Sequence, residues 1–117
     1  MSGWIGVDLD GTLAHYDGWK GIDHIGAPIQ PMTERVKRWL AEDREVRIFT
    51  ARVSVEDQHE KLAIIRAVQD WCELHLGRPL AVTCIKDFGM VELWDDRAVQ
   101  VEMNTGRPYG PSTRGLA

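Results

Sequence analysis

The sequence predicts an α/β domain built on a central, mainly parallel sheet with helices on its faces. Two observations carry this. Short apolar runs rich in β-branched residues alternate with longer stretches of helical periodicity, the pattern of strands joined by helical crossovers. The apolar runs also end in polar residues of a kind that gathers beyond the carboxyl edge of a parallel sheet.

The first run, Trp4-Ile5-Gly6-Val7-Asp8-Leu9, reads as a buried strand that stops at the turn Asp10-Gly11-Thr12. Residues 13–30 contain Gly18, Gly21 and Gly26 and hold no lasting period, so they form an irregular flap. Pro31 suits a first helical turn, and Met32, Val36, Trp39 and Leu40 recur at helical spacing, predicting a helix over 31–42. Glu45 to Thr50 alternates and then ends apolar, a second strand.

Ser54-Val55-Glu56-Asp57 has the form of a capping box opening the longest periodic stretch. Leu62, Ile65, Val68, Cys72 and Leu76 line one stripe there, widened by Ile64 and Trp71; Gly77 stops the helix and Pro79 prevents its return. Leu80 to Ile85 is a third strand. After the turn Lys86-Asp87-Phe88-Gly89, Met90 to Trp94 is a fourth, entering Asp95-Asp96. Residues 1–103 therefore form a single domain. The tail, 104–117, holds three glycines and two prolines and reads as loosely ordered.

Composition narrows the function classes. Of 117 residues, 44% are hydrophobic and 27% charged, which suits a globular chain and not a disordered one. The 14 Lys and Arg against 18 Asp and Glu leave a formal charge of −4 and no long basic block, so nucleic acid is a disfavoured partner. No apolar run approaches a membrane span. The start of the sequence lacks a charged and apolar leader, and Cys72 and Cys84 have no metal-ligand spacing. The expectation is a cytoplasmic protein with reduced thiols and no membrane partner. Its oligomeric state is left open.

The strand ends collect Asp8 and Asp10, Thr50 with Arg52, Lys86, and Asp95 with Asp96. Four carboxylates held together repel unless protonated or neutralised by a cation. An all-oxygen donor set favours a hard ion, and Mg²⁺ is the expected cofactor.

The motif Asp8-Leu9-Asp10-Gly11-Thr12-Leu13 resembles the first signature of the haloacid dehalogenase superfamily. Phe49-Thr50-Ala51-Arg52 is similar to its second motif, Lys86 to its third, and Leu93-Trp94-Asp95-Asp96-Arg97 to its fourth. The resemblance spans about residues 4–97. It implies a three-layer Rossmann-like fold, and the short gaps between the motifs leave no room for a cap domain. It further implies a hydrolase: a phosphatase with Asp8 as nucleophile forming an aspartyl-phosphate and Asp10 as general acid and base. Asp8, Asp10, Asp95 and Asp96 would hold the metal, and Thr50, Arg52 and Lys86 would hold the phosphoryl group. No proline follows Lys86, and it lies only nine residues before Asp95, a departure from the many relatives that place a helix there.

A small-molecule or macromolecular phosphoester is the expected partner, the open site suiting bulky or macromolecular ones or a cover from a neighbouring subunit, and His15, Tyr16, Trp19, Lys20 and His24 in the flap are candidates to touch it. A nucleotide or polynucleotide-end phosphatase is the first alternative. A Mg²⁺- and phosphate-binding module without turnover is an alternative of another class.

Overall fold

The structure is a computed structural model and describes residues 3–110. Its elements follow in the order β1 (Trp4–Val7), α1 (Gln30–Ala41), β2 (Glu45–Phe49), a short 3-10 turn (Ala51–Val53), α2 (Gln58–Leu76), β3 (Ala81–Thr83) and β4 (Met90–Trp94). The strands form one sheet in the order β3-β2-β1-β4, and every pairing is parallel. β1 lies inside the sheet, and all four of its residues are buried. This suits its nearly uninterrupted apolar sequence.

Register places Ile5 beside Val46 and Val7 beside Ile48, with Ile48 beside Val82. These side chains point to one face and form a single core with Met32, Val36 and Leu40 of α1 and Ile64, Val68, Cys72 and Leu76 of α2. The two helices also touch each other. Both therefore cover the same face of the sheet. The expected three-layer arrangement, with helices on both faces, is corrected here: among the described residues there is one helical layer. The cause is the β3–β4 connection, which spans only residues 84–89 and is too short to contain a crossover helix. On the opposite face Trp4 is 2% exposed, covered by the Arg47 guanidinium 4.5 Å above its ring, and its indole N–H donates to Asp87 at 2.9 Å.

Three local expectations are also corrected. Asp57, not Ser54, caps α2 by accepting from the backbone N–H of Glu60 at 3.1 Å. Ser54 instead donates to the Ala51 carbonyl at 2.6 Å and closes the 3-10 turn. Leu62 is 64% exposed, because the buried stripe is phased on Ile64, Val68, Trp71, Cys72 and Leu76. The third strand is shorter than Leu80–Ile85: Thr83 ends it by accepting from the Ile85 N–H at 3.0 Å. Gly77 stops α2 in the left-handed conformation at φ 91°, as its position predicts.

The flap has an ordered base. His15 N–H donates to Ala27 and Ile29 N–H to Leu13, both at 2.8 Å, so the two arms of the excursion run side by side. Trp71 of α2 donates its indole N–H to Gly26 at 3.0 Å and fastens the flap to the helical layer. After β4 the chain turns back on itself, with Glu102 N–H donating to Arg107 at 2.7 Å and Tyr109 N–H to Gln100 at 3.0 Å. Val99-Gln100-Val101 adds no strand to the sheet, only an isolated bridge between Val101 and Pro108. Of the tail expected to be loosely ordered, residues 111–117 lie outside the described part. No helix among the described residues is long and apolar enough to cross a membrane.

Candidate active site

The carboxyl ends of β1, β2 and β4 open into a cavity of about 750 Å³. In a parallel sheet these ends lie on one edge, so the residue that follows each strand is delivered to one region. Asp8 follows β1, and its N–H donates to the Trp94 carbonyl at 2.9 Å, which extends the β1–β4 ladder by one residue. That bond sets Asp8 next to Asp95 and Asp96. One oxygen from each of the three carboxylates lies within 4.8 Å of the other two.

Thr12 ties the group together. Its hydroxyl lies 3.3 Å from an Asp8 oxygen and 3.2 Å from an Asp96 oxygen, and it accepts from the Asp96 N–H at 2.9 Å. The turn that brings Thr12 round needs glycine at position 11, where φ is +92° and a Cβ would stand 2.8 Å from an Asp96 oxygen. Asp8 is half-buried in this company, and its carboxyl is pushed from 3.8 up to about 8. Burial is the largest cause, followed by its hydrogen bond with Asp96 and the charges of Asp95 and Asp96. The Thr12 hydroxyl opposes the rise. The cluster is thus a concentration of negative charge that holds a proton well above the usual carboxylate range. A hard divalent cation answers the same need, and a set of carboxylate oxygens without His or Cys fits Mg²⁺ or Ca²⁺.

Asp10 behaves differently. Its carboxylate does not join the three-residue cluster; Arg52 takes both of its oxygens at 2.8 Å, in the bidentate geometry of a guanidinium–carboxylate pair. The Arg52 side chain is 6% exposed and also donates to the His24 carbonyl at 3.0 Å. Arg52 therefore fastens the flap to Asp10 and is not a free ligand for phosphate in this conformation. Thr50, 2% exposed, lies on the cavity wall, where its hydroxyl oxygen accepts from the Arg52 N–H at 3.2 Å and leaves its proton to donate elsewhere.

Lys86 is not on the cavity wall. It is exposed within the β3–β4 connection, which leaves the carboxyl end of β3 and must return to the opposite edge of the sheet before β4 can start. That path carries residue 86 away from the carboxylates. Arg97 does line the cavity; its backbone N–H donates to Asp95 at 2.8 Å, while its guanidinium forms no ion pair among the described residues. Tyr16 and Trp19 of the flap line it too. Thr12 carries no charge and sat in the motif without an assigned role; the signal for it is its position four residues after Asp8.

No protein-family model and no curated protein matches the chain. The fold is similar to that of a conserved protein coded by a locus of Bacteroides thetaiotaomicron, with a TM-score of 0.58 and 19% identity, over 85% of this chain and 79% of that one. At that identity the likeness is one of fold.

Proposed function

We propose that this chain is a small, capless member of the haloacid dehalogenase superfamily and a Mg²⁺-dependent phosphomonoesterase acting through Asp8. The observation that carries the reading is the meeting of Asp8, Asp95 and Asp96 within 4.8 Å at the ends of two adjacent strands. Asp8, the backbone carbonyl of Asp10, and the acids at 95 and 96 would hold the ion. When bound, it supplies the positive charge that lets a carboxylate approach a phosphate dianion.

In the first step an Asp8 oxygen attacks phosphorus, the bond from phosphorus to the leaving oxygen breaks, and Asp10 delivers a proton to that oxygen. In the second, Asp10 takes a proton from water as the water oxygen attacks the same phosphorus, and the bond to Asp8 breaks to release phosphate. The Thr50 hydroxyl, on the cavity wall, would donate to a phosphoryl oxygen. The counter-charge expected of Lys86 falls to Arg97 on the cavity wall. Protonating Asp10 at the lone pairs that face Arg52 displaces one of its N–H groups, so the outward lone pairs, or a shift of Arg52, serve the proton transfer.

That clamp favours one other reading, a module that binds metal and phosphate without turnover. Hydrolysis of an aryl phosphate, with Mg²⁺ or with EDTA, separates the two. Metal-dependent release of phosphate that Asp8→Asn abolishes is the expected result. Mg²⁺-dependent binding of phosphate by a protein that hydrolyses no phosphomonoester would favour the module.

A further inference from the structure

The flap tip carries a recognition element distinct from the carboxylate cluster. Trp19 lines the cavity and is 57% exposed. One face of its indole is covered by the Arg52 guanidinium, 4.9 Å from the ring centre. That guanidinium is held in turn by Asp10 and the His24 carbonyl, so the indole rests on a fixed support. Gly18 and Gly21, at φ +126° and +102°, bracket Trp19 and Lys20, and a Cβ at either would meet nothing within 4 Å. Their role is to reverse the chain and not to relieve crowding. Lys20 pairs with Asp17 at 3.1 Å, so the two charges on either side of Trp19 offset each other. An uncharged aromatic face is therefore what the tip offers the cavity, and Tyr16, 46% exposed, adds a second aromatic from the flap.

We propose that Trp19, backed by Arg52, is a stacking platform for the leaving group and that the substrate is a nucleoside 5′-monophosphate. The fate of the phosphate in this proposal rests on the phosphomonoesterase reading; the stacking of the base does not. A cation is the wrong occupant for the open indole face, because Arg52 already holds the other face and would repel it. A flat base gains from stacking whatever its edge pattern. A sugar phosphate leaves the platform unused. Phosphotyrosine shares the chemistry of an aromatic phosphomonoester, but its ring carries the phosphate directly. Trp19 meets the site through Arg52 and Asp10 and not at the Asp8–Asp95–Asp96 cluster, so an aromatic group set apart from its phosphate suits it better than a ring that carries the phosphate directly. The cavity, about 750 Å³, lies within the range of roughly 300–1,000 Å³ usual for small-molecule sites.

The test is calorimetric titration of the Asp8→Asn protein, in Mg²⁺, with adenosine 5′-monophosphate, ribose 5-phosphate and phosphotyrosine. The nucleotide is expected to bind about tenfold more tightly than ribose 5-phosphate. That ratio collapses towards one when Trp19→Ala is added and is largely kept by Trp19→Phe, which restores an aromatic face. Equal affinities for nucleotide and sugar phosphate, or no binding of either, would overturn the platform. Tighter binding of phosphotyrosine than of the nucleotide would overturn the substrate class. Phosphate release by the wild-type protein is assayed separately, and its failure with all three compounds counts against the phosphomonoesterase reading while the titration still decides the stacking.

Discussion

Arg52 holds both carboxylate oxygens of Asp10 at 2.8 Å across 42 residues of sequence, and the same side chain reaches the His24 carbonyl and lies under Trp19. One residue thus joins the turn after β1, the end of β2 and the tip of the flap. The pair is largely shielded from water, with side chains 6% and 19% exposed, so removing one member strands a charge.

Arg52→Ala is therefore expected to destabilise the protein by about 2–4 kcal/mol, read from urea denaturation. The double variant Arg52→Ala/Asp10→Ala should lose less than the sum of the two single changes, because the stranded carboxylate has gone too. Strictly additive losses would show that the pair contributes no coupling.

How much of this was legible in the sequence depends on range. β1, β2, β4 and α1 follow from local alternation and helical spacing, and Asp8 meets Asp95 and Asp96 because each ends a strand of one parallel sheet. The Arg52–Asp10 pair was not legible, since sequence alone does not say which of several nearby acids a guanidinium will choose. Leu62 was misplaced because a 19-residue helix offers more than one apolar phase and only packing against the sheet selects among them. The single helical layer and the position of Lys86 share one cause, a short β3–β4 connection that must run back to the start of β4. The shortness was visible in the spacing, but its consequence for Lys86 needed the strand order.

The Asp8 carboxyl, at about 8 in the folded protein against 3.8 when unperturbed, makes metal-free stability depend on pH. The folded state keeps a proton that the unfolded chain gives up, so the contribution is full below pH 4 and is lost as pH rises towards 8. Thermal melts in EDTA should show this group's share of stability falling between those limits. The proposed Mg²⁺ binding would require the carboxylate, and so would release a proton and tighten over the same interval. A Mg²⁺-induced rise in melting temperature that grows from pH 5.5 to pH 8.5 is the expected signature. A rise independent of pH would place the ion elsewhere.

Asp8→Asn should separate stability from function. An amide beside Asp96 carries no charge and brings N–H donors to a site crowded with acceptors. At pH 8.5 without metal, the variant is expected to be more stable than wild type by about 1–2 kcal/mol, seen by denaturant titration. On the proposed reading, phosphatase activity is lost in the same protein. A variant that is both inactive and less stable would show that Asp8 supports the fold and not a charged site under tension.

Gly11 and Gly21 offer a paired test of what the turn after β1 does. Both have positive φ, so alanine at either strains the backbone, by about 1–3 kcal/mol. Only at Gly11 would the new methyl group meet the site, 2.8 Å from an Asp96 oxygen; at Gly21 it meets nothing within 4 Å. The Asp96 carboxylate stands at the end of a short, rotatable side chain, so Gly11→Ala is expected to turn it aside without unfolding the domain. The two variants should thus lose similar stability in chemical denaturation, while only Gly11→Ala weakens Mg²⁺ binding in a calorimetric titration, by about tenfold or more, as loss of one ligand implies. Equal Mg²⁺ affinity in both variants would mean that Asp96 is not a ligand and that Asp8 and Asp95 hold the ion without it.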